Sequence, residues 1–178
     1  MYQQILQFWF EDIQPSQWWR KDHDFDQLIN DNYGDLHASV HQCECYYWRE
    51  ISSGRLAEII VLDQFSRNMY RDQPRSFASD PLALALSQEA IFAGADQDLS
   101  PTERSFLYMP FMHSESAAIH QVAETLYKAN GIEANYQFEL KHKAIIDQFG
   151  RYPHRNKILG RTSTPAEIEF LKGPGSSF

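Results

Sequence analysis

The chain has 178 residues and a mass of 20.8 kDa, the size of one domain, and can bury roughly 70% of the surface its unfolded form exposes. With 43% apolar and 14% aromatic residues, it has material for a large core and is too hydrophobic to be disordered. A net charge of −8 argues against nucleic acid or an anionic membrane as partner, and its apolar runs are too short and too often broken by charge for a membrane-spanning helix.

In chain order, the first helix is expected near 2–11, with Phe8 and Trp9 joining Trp18 in an amino-terminal core cluster. These opening residues lack the basic start and small-residue cleavage site of a signal peptide. The adjacent Trp18 and Trp19 are hard to bury together on one helix, so one ring is expected at the surface. A second helix is expected near 22–42. Residues 1–48 carry Glu11, Asp12, Asp22, Asp24, Asp26, Asp31, Asp35 and Glu44 against Arg20 and Lys21, a net of −6. Cys43 and Cys45 lie too close for an ordinary structural disulfide and lack the second pair that a zinc site needs. Free thiols fit the cytoplasm.

The segment 55–71 is apolar nearly all round, through Leu56, Ile59, Ile60, Val61, Leu62, Phe65 and Met69, as in a buried helix. Yet Asp63, Gln64, Arg67 and Arg71 fall on one arc of about 100° at helical spacing. Buried charges must be paired. Asp63 and Arg67, four residues apart, can serve each other, whereas Arg71 needs another acid, a carbonyl or a ligand.

Asp80-Pro81 reads as a helix start, with Gly94 ending that helix. Ser100-Pro101-Thr102-Glu103 and Thr164-Pro165-Ala166-Glu167 each carry an N-cap, a proline at the first helical position and a reaching glutamate. Helices are thus expected near 81–93, 101–112, 115–130, 133–148 and 165–172. Asn130-Gly131, flanked by helical patterns, reads as a helix end rather than a hairpin turn. Pro110 removes one helical bond, so the chain is expected to kink or break just before His113. Ser114 is then placed to cap the next helix. His142, in the middle of an apolar face, reads as a hydrogen-bonded core residue. Residues 149–161 carry Arg151, Arg155, Lys157 and Arg161 and no acid, a net of +4, which suits a small anion better than a polyanion.

The fold class is all-α, a compact array of antiparallel helix pairs with short connections. No linker divides it, so residues 1–172 read as a single all-helical domain and 173–178 as an irregular carboxy-terminal tail. No sequence repeat near 34 residues is evident.

Three stretches carry a family resemblance: Leu62-Asp63-Gln64-Phe65-Ser66-Arg67-Asn68, Phe106-Leu107-Tyr108-Met109-Pro110-Phe111-Met112-His113-Ser114-Glu115, and Phe149-Gly150-Arg151-Tyr152-Pro153-His154-Arg155-Asn156. Together with Phe8-Trp9-Phe10, Trp18, Phe25 and Leu159-Gly160-Arg161, they resemble the bacterial domain of unknown function 924 family over almost the whole chain. The resemblance implies a helical superhelix similar to tetratricopeptide-repeat proteins; it implies no activity and so transfers no catalytic residue. The chain departs from the family pattern at Ser66, where proline is common, at Glu58, where an aliphatic is common, and around Cys43-Glu44-Cys45.

The polar residues of these stretches make the candidate site. Asp63, Gln64, Arg67, Asn68, Arg71, Ser114, Arg151, Arg155 and Asn156 are the candidate ligand-binding residues. Arginine forks match a carboxylate or phosphate in bidentate geometry. His113 and His154 are candidate general acids or bases, with Glu115 placed to orient an imidazole. If the stretches converge, they form an Arg/His-lined pocket that binds a small anionic carboxylate or phosphate, with turnover left open. Two readings compete with it. One is an internal polar network that fixes helix packing. The other is a non-catalytic helical scaffold for a peptide or partner protein, anchored by Trp9, Trp18, Trp19, Trp48, Tyr46 and Tyr47. Against an enzyme stands the lack of a Gly-rich nucleotide loop, a G-x-S-x-G elbow or an H-E-x-x-H run, and no cofactor is expected. No metal is expected either, because His113 and Glu115, two residues apart, do not share a helical face.

Overall fold

A computed structural model describes residues 1–177; Phe178, the last residue of the expected tail, lies outside the described residues. Helices occupy each segment where periodicity placed them, and among the described residues there is no strand. They are α1 (Tyr2–Gln7), α2 (His23–His41), α3 (Ser52–Ile60), α4 (Ser66–Met69), α5 (Asp80–Phe92), α6 (Pro101–Met112), α7 (Ala117–Asn130), α8 (Glu133–Phe149) and α9 (Pro165–Phe170). Short 3₁₀ turns at Pro15–Trp18, Tyr46–Glu50, Pro74–Phe77, Ala95–Asp98 and Pro153–Arg155 fill stretches that read as loop, each too brief to show a period. No helix among the described residues is long and apolar enough to cross a membrane.

The local signals act as expected at most ends. Ser100 and Glu103 form a capping box on α6, and Thr164 and Glu167 form one on α9. Gly94 and Gly131 stand just past α5 and α7 with φ of 74° and 78°, a conformation costly for any residue with a Cβ. Helix α6 runs through Pro110 and stops at Met112, with His113 as its C-cap. Two starts differ from expectation. Ser116 rather than Ser114 stands at the N-cap of α7, and it makes no side-chain cap bond. Ser79, not Asp80, precedes α5, and the Asp80 carboxylate does not cap the helix.

The segment 55–71 is not one regular helix. A π-helical turn, Val61–Phe65, joins α3 to α4, and all five of its residues are buried. Such a turn inserts one extra residue and rotates the side chains downstream of it. A second π turn, Phe8–Asp12, extends α1.

One main core unites Trp9, Trp48, Leu56, Ile59, Ile60, Phe65, Phe106 and Leu107 with neighbours from most helices. Trp18 Nε1 donates to the Trp9 carbonyl at 2.9 Å, and Trp19 is the ring left 62% exposed. A smaller cluster of Ile145, Ile146 and Tyr152 packs under Phe149 and Phe170. The departures from the family pattern are accommodated. Glu58, 1% exposed, is clasped by Arg49 at 2.6 and 2.7 Å. Ser66 Oγ donates to the Leu62 carbonyl at 2.6 Å and lies 2.7 Å from His37 Nε2. Cys43 adopts a positive φ of 60° at the end of α2.

Gly54 on α3 lies against the turn that carries Trp48. A Cβ there would stand 2.1 Å from the Trp48 carbonyl oxygen. Gly54→Ala is therefore expected to cost about 3 kcal/mol or more, measured by urea denaturation; an unchanged midpoint would show that the turn can move aside.

Candidate functional site

The site grows from the π turn. Asp63, 1% exposed, would be expensive to bury as a carboxylate without compensation. Here it is surrounded by donors. His113 Nδ1 lies 2.8 Å from Oδ1, Arg67 Nη1 lies 3.2 Å from Oδ1, and Gln64 Nε2 donates to Oδ2 at 2.6 Å. Burial works to raise its pKa, but the Arg67 charge and the His113 contact outweigh it and hold the carboxyl well below the usual range. Both terminal nitrogens of Arg67 are engaged. Nη1 also donates to the Asp63 carbonyl at 2.8 Å, and Nη1 and Nη2 reach the two Asp80 oxygens at 3.0 and 3.1 Å.

Burial, reinforced by the Arg67 charge, pushes the His113 pKa down, so the ring is neutral near pH 7. An ionised Asp63 only accepts, which places the proton of the neutral ring on Nδ1. Nε2 is then an acceptor, and it makes no hydrogen bond among the described residues.

Arg155, 6% exposed, is the contrasting case. Its guanidinium carbon lies 4.6 Å from the ring centroids of both Phe77 and Tyr152. Its one carboxylate contact is Nη1 to Asp80 at 3.4 Å, and buried Nε has no partner among the described residues. The Nε–Nη2 edge is the one through which Arg49, Arg71 and Arg151 each clasp a carboxylate. On Arg155 that edge holds none among the described residues. Burial and the like charge of Arg67 push its pKa down, a sign of an undercompensated cation.

These groups meet at an open cleft of about 390 Å³. Its polar lining is Asp80, His113, Ser114, Glu115 and Arg155; Phe77, Pro81, Leu84 and Leu159 are among its apolar lining. Parts of all three motif stretches therefore converge, with Asp63 and Arg67 directly behind the lining.

The other candidates are engaged elsewhere. Arg71 clasps Asp26 of α2 at 2.5 and 2.7 Å, and Asn68 donates to the same carboxylate at 2.8 Å. The π turn breaks the single arc that joins Arg71 to Asp63 at 100° per residue, and α4 ends at Met69, so Arg71 turns toward α2 beside Asn68. Gln64 is spent on Asp63. Arg151 pairs with Glu167 beside a separate, more open concavity of about 580 Å³. Asn156, fully buried, braces its own loop by donating to Ser163 Oγ at 3.1 Å and accepting from Arg161 Nε at 3.0 Å. Glu115 does not orient an imidazole. It takes two bonds from Arg161, at 2.6 and 2.9 Å, and one from the Tyr152 amide at 2.7 Å. His154 packs against the Tyr152 ring at 5.5 Å, and burial lowers its pKa to about 4. Ser114 lines the cleft, and its carbonyl accepts from His120 Nε2 at 2.9 Å. Sequence reasoning misses Asp80 and Phe77: the first looks like a helix cap, and the second belongs to a 3₁₀ turn with no periodic signal. Among the described residues, no group of three or more His, Cys, Asp or Glu side chains is arranged to hold a metal ion.

A family model described as "Bacterial protein of unknown function (DUF924)" matches residues 5–175. A solved structure of a protein of unknown function from Agrobacterium tumefaciens is similar, at 38% identity, 97% coverage of both chains and a TM-score of 0.92. No curated protein matches significantly.

Proposed function

The chain belongs to the DUF924 family of bacterial proteins, and, taking the chemistry from the cleft itself, we propose that it binds a small anionic molecule, a carboxylate or a phosphate, on Arg155. The observation that carries this reading is a buried guanidinium that lines an open cleft with one weak ion pair among the described residues: its Nε, shut off from solvent, has no partner among them. A buried cation without its full complement of acceptors costs several kcal/mol, and an anion in the cleft would offset the cost through a charge-assisted bond to the guanidinium. Arg67, by contrast, serves the scaffold, since Asp63 and Asp80 hold both of its terminal nitrogens. The two unbridged cysteines support a cytoplasmic location.

A thermal-shift screen with small carboxylates, inorganic phosphate, nucleotides and divalent metal salts tests the reading. An anion at 100-fold its dissociation constant adds about 2.7 kcal/mol, raising the melting temperature by roughly 5–11 °C. One anion class is expected to do so, and Arg155→Met to abolish it. No shift from any compound would overturn the reading. Attention would then pass to a scaffold role for a peptide or protein partner, which the exposed rings of Trp19, Tyr46 and Tyr47 favour.

A further inference from the structure

Resting on that reading, the lining of the cleft narrows the ligand further. An anion on Arg155 shares the cleft with the ring of His113, whose Nδ1 is committed to Asp63 at 2.8 Å. Asp63 is in turn fixed by Arg67 and Gln64, so the ring cannot readily reverse its proton arrangement. Nε2 therefore offers a lone pair to the cleft and asks for a donor. The two carboxylates of the lining ask for none: Asp80 is shared by Arg67 and Arg155, and Glu115 is taken by Arg161 and the Tyr152 amide.

The charge of that donor is also constrained. An ammonium group would sit beside the Arg155 and Arg67 guanidiniums with no unengaged carboxylate among the described lining residues to receive it, a like-charge arrangement. A neutral hydroxyl meets no such penalty. The rest of the lining, including Phe77, Pro81, Leu84 and Leu159, is apolar and suits a hydrocarbon body.

We propose that the ligand is a small hydroxycarboxylate with an apolar body: its carboxylate on the Arg155 guanidinium, its hydroxyl donating to His113 Nε2, and its body against Phe77 and Leu84. His113 is then the residue that selects for the hydroxyl.

Matched probes test this by calorimetry on the intact protein: 2-hydroxy-4-methylpentanoate and mandelate, each against its deoxy analogue (4-methylpentanoate, phenylacetate) and its amino analogue (leucine, phenylglycine). Each hydroxy acid is expected to bind about tenfold more tightly than the deoxy acid, the effect of one net hydrogen bond, and the amino acids least tightly. His113→Phe is expected to erase the hydroxy preference, read as the ratio of hydroxy to deoxy affinity. Because that variant also leaves Asp63 short of a donor, a second readout uses the wild-type protein. The Nε2 resonance of His113 in ¹⁵N spectra is expected to shift with the hydroxy acid and not with the deoxy acid. Equal binding of hydroxy and deoxy acids, or tightest binding of the amino acids, overturns the inference while leaving Arg155 as an anion site. Binding of none of the six overturns the inference, and if inorganic phosphate and other carboxylates also fail, the anion site falls with it.

Discussion

Arg67→Ala is expected to cost about 3–5 kcal/mol, which for a chain of this size lowers the melting temperature by roughly 6–20 °C. The loss reflects the number of groups the side chain serves. Its guanidinium faces Asp63, Asp80 and the Asp63 carbonyl at once. Truncation leaves Asp63, 1% exposed, with His113 and Gln64 alone and removes the close partner of Asp80. Arg155→Met is expected to behave in the opposite way. It deletes a buried cation whose one ion pair among the described residues is a 3.4 Å contact, and a hydrophobic side chain of similar length can keep its packing against Phe77 and Tyr152. Stability without ligand should change by under about 1 kcal/mol or rise. Urea denaturation of both variants decides the matter. Equal losses would mean that both arginines belong to one structural network, which would count against an anion on Arg155.

Acid is expected to weaken the fold well above the usual carboxylate range. Burial lowers the pKa of His37 to about 4, of His142 to about 3 and of His154 to about 4. Each is neutral in the folded protein at a pH where the unfolded chain, titrating near 6.5, already binds a proton. Their contribution is therefore complete above about pH 6.5 and is lost as pH falls toward the folded values. Three protons taken up only on unfolding give a slope of roughly 4 kcal/mol per pH unit near pH 5, and about 6 kcal/mol between pH 7 and pH 5. Glu139, whose carboxyl is pushed up by burial, offsets part of this as pH falls. Asp63 and Glu115, both lowered, take over below about pH 4. Since a domain has about 5–15 kcal/mol in all, denaturation midpoints should fall steeply between pH 7 and pH 5. A flat profile would show that these imidazoles are hydrated enough to charge in place.

The helices are legible in the sequence because their ends are written locally. Ser100 with Glu103, Thr164 with Glu167, and the glycines at 94 and 131 each settle an end within a few residues. The buried character of the 55–71 segment is legible from its apolar run for the same reason. The turn inside it is not, because one inserted residue leaves the apolar pattern intact and alters only the facing of residues beyond it. That is why Arg71 groups with Asp63 in the sequence but joins Asn68 on Asp26, more than forty positions away in the chain. Pairings of that kind have no sequence signature. Glu115 stands two residues from His113 and looks like its orienting acid, while the acid that orients it is Asp63, fifty positions earlier. Asp80 satisfies the local grammar of a helix start, and nothing in that grammar indicates that two arginines from distant segments use its carboxylate instead.

The setting of Arg155 between ring neighbours also bears on how strongly any anion could be held. An arginine on a surface loop samples many rotamers, and a ligand that immobilises it forfeits about 1–2 kcal/mol of side-chain entropy. With its guanidinium 4.6 Å from both the Phe77 and Tyr152 centroids and an exposure of 6%, Arg155 has surrendered that freedom during folding. An incoming anion meets an arm already at rest, worth about a tenfold gain in affinity over the same contact made on a mobile loop.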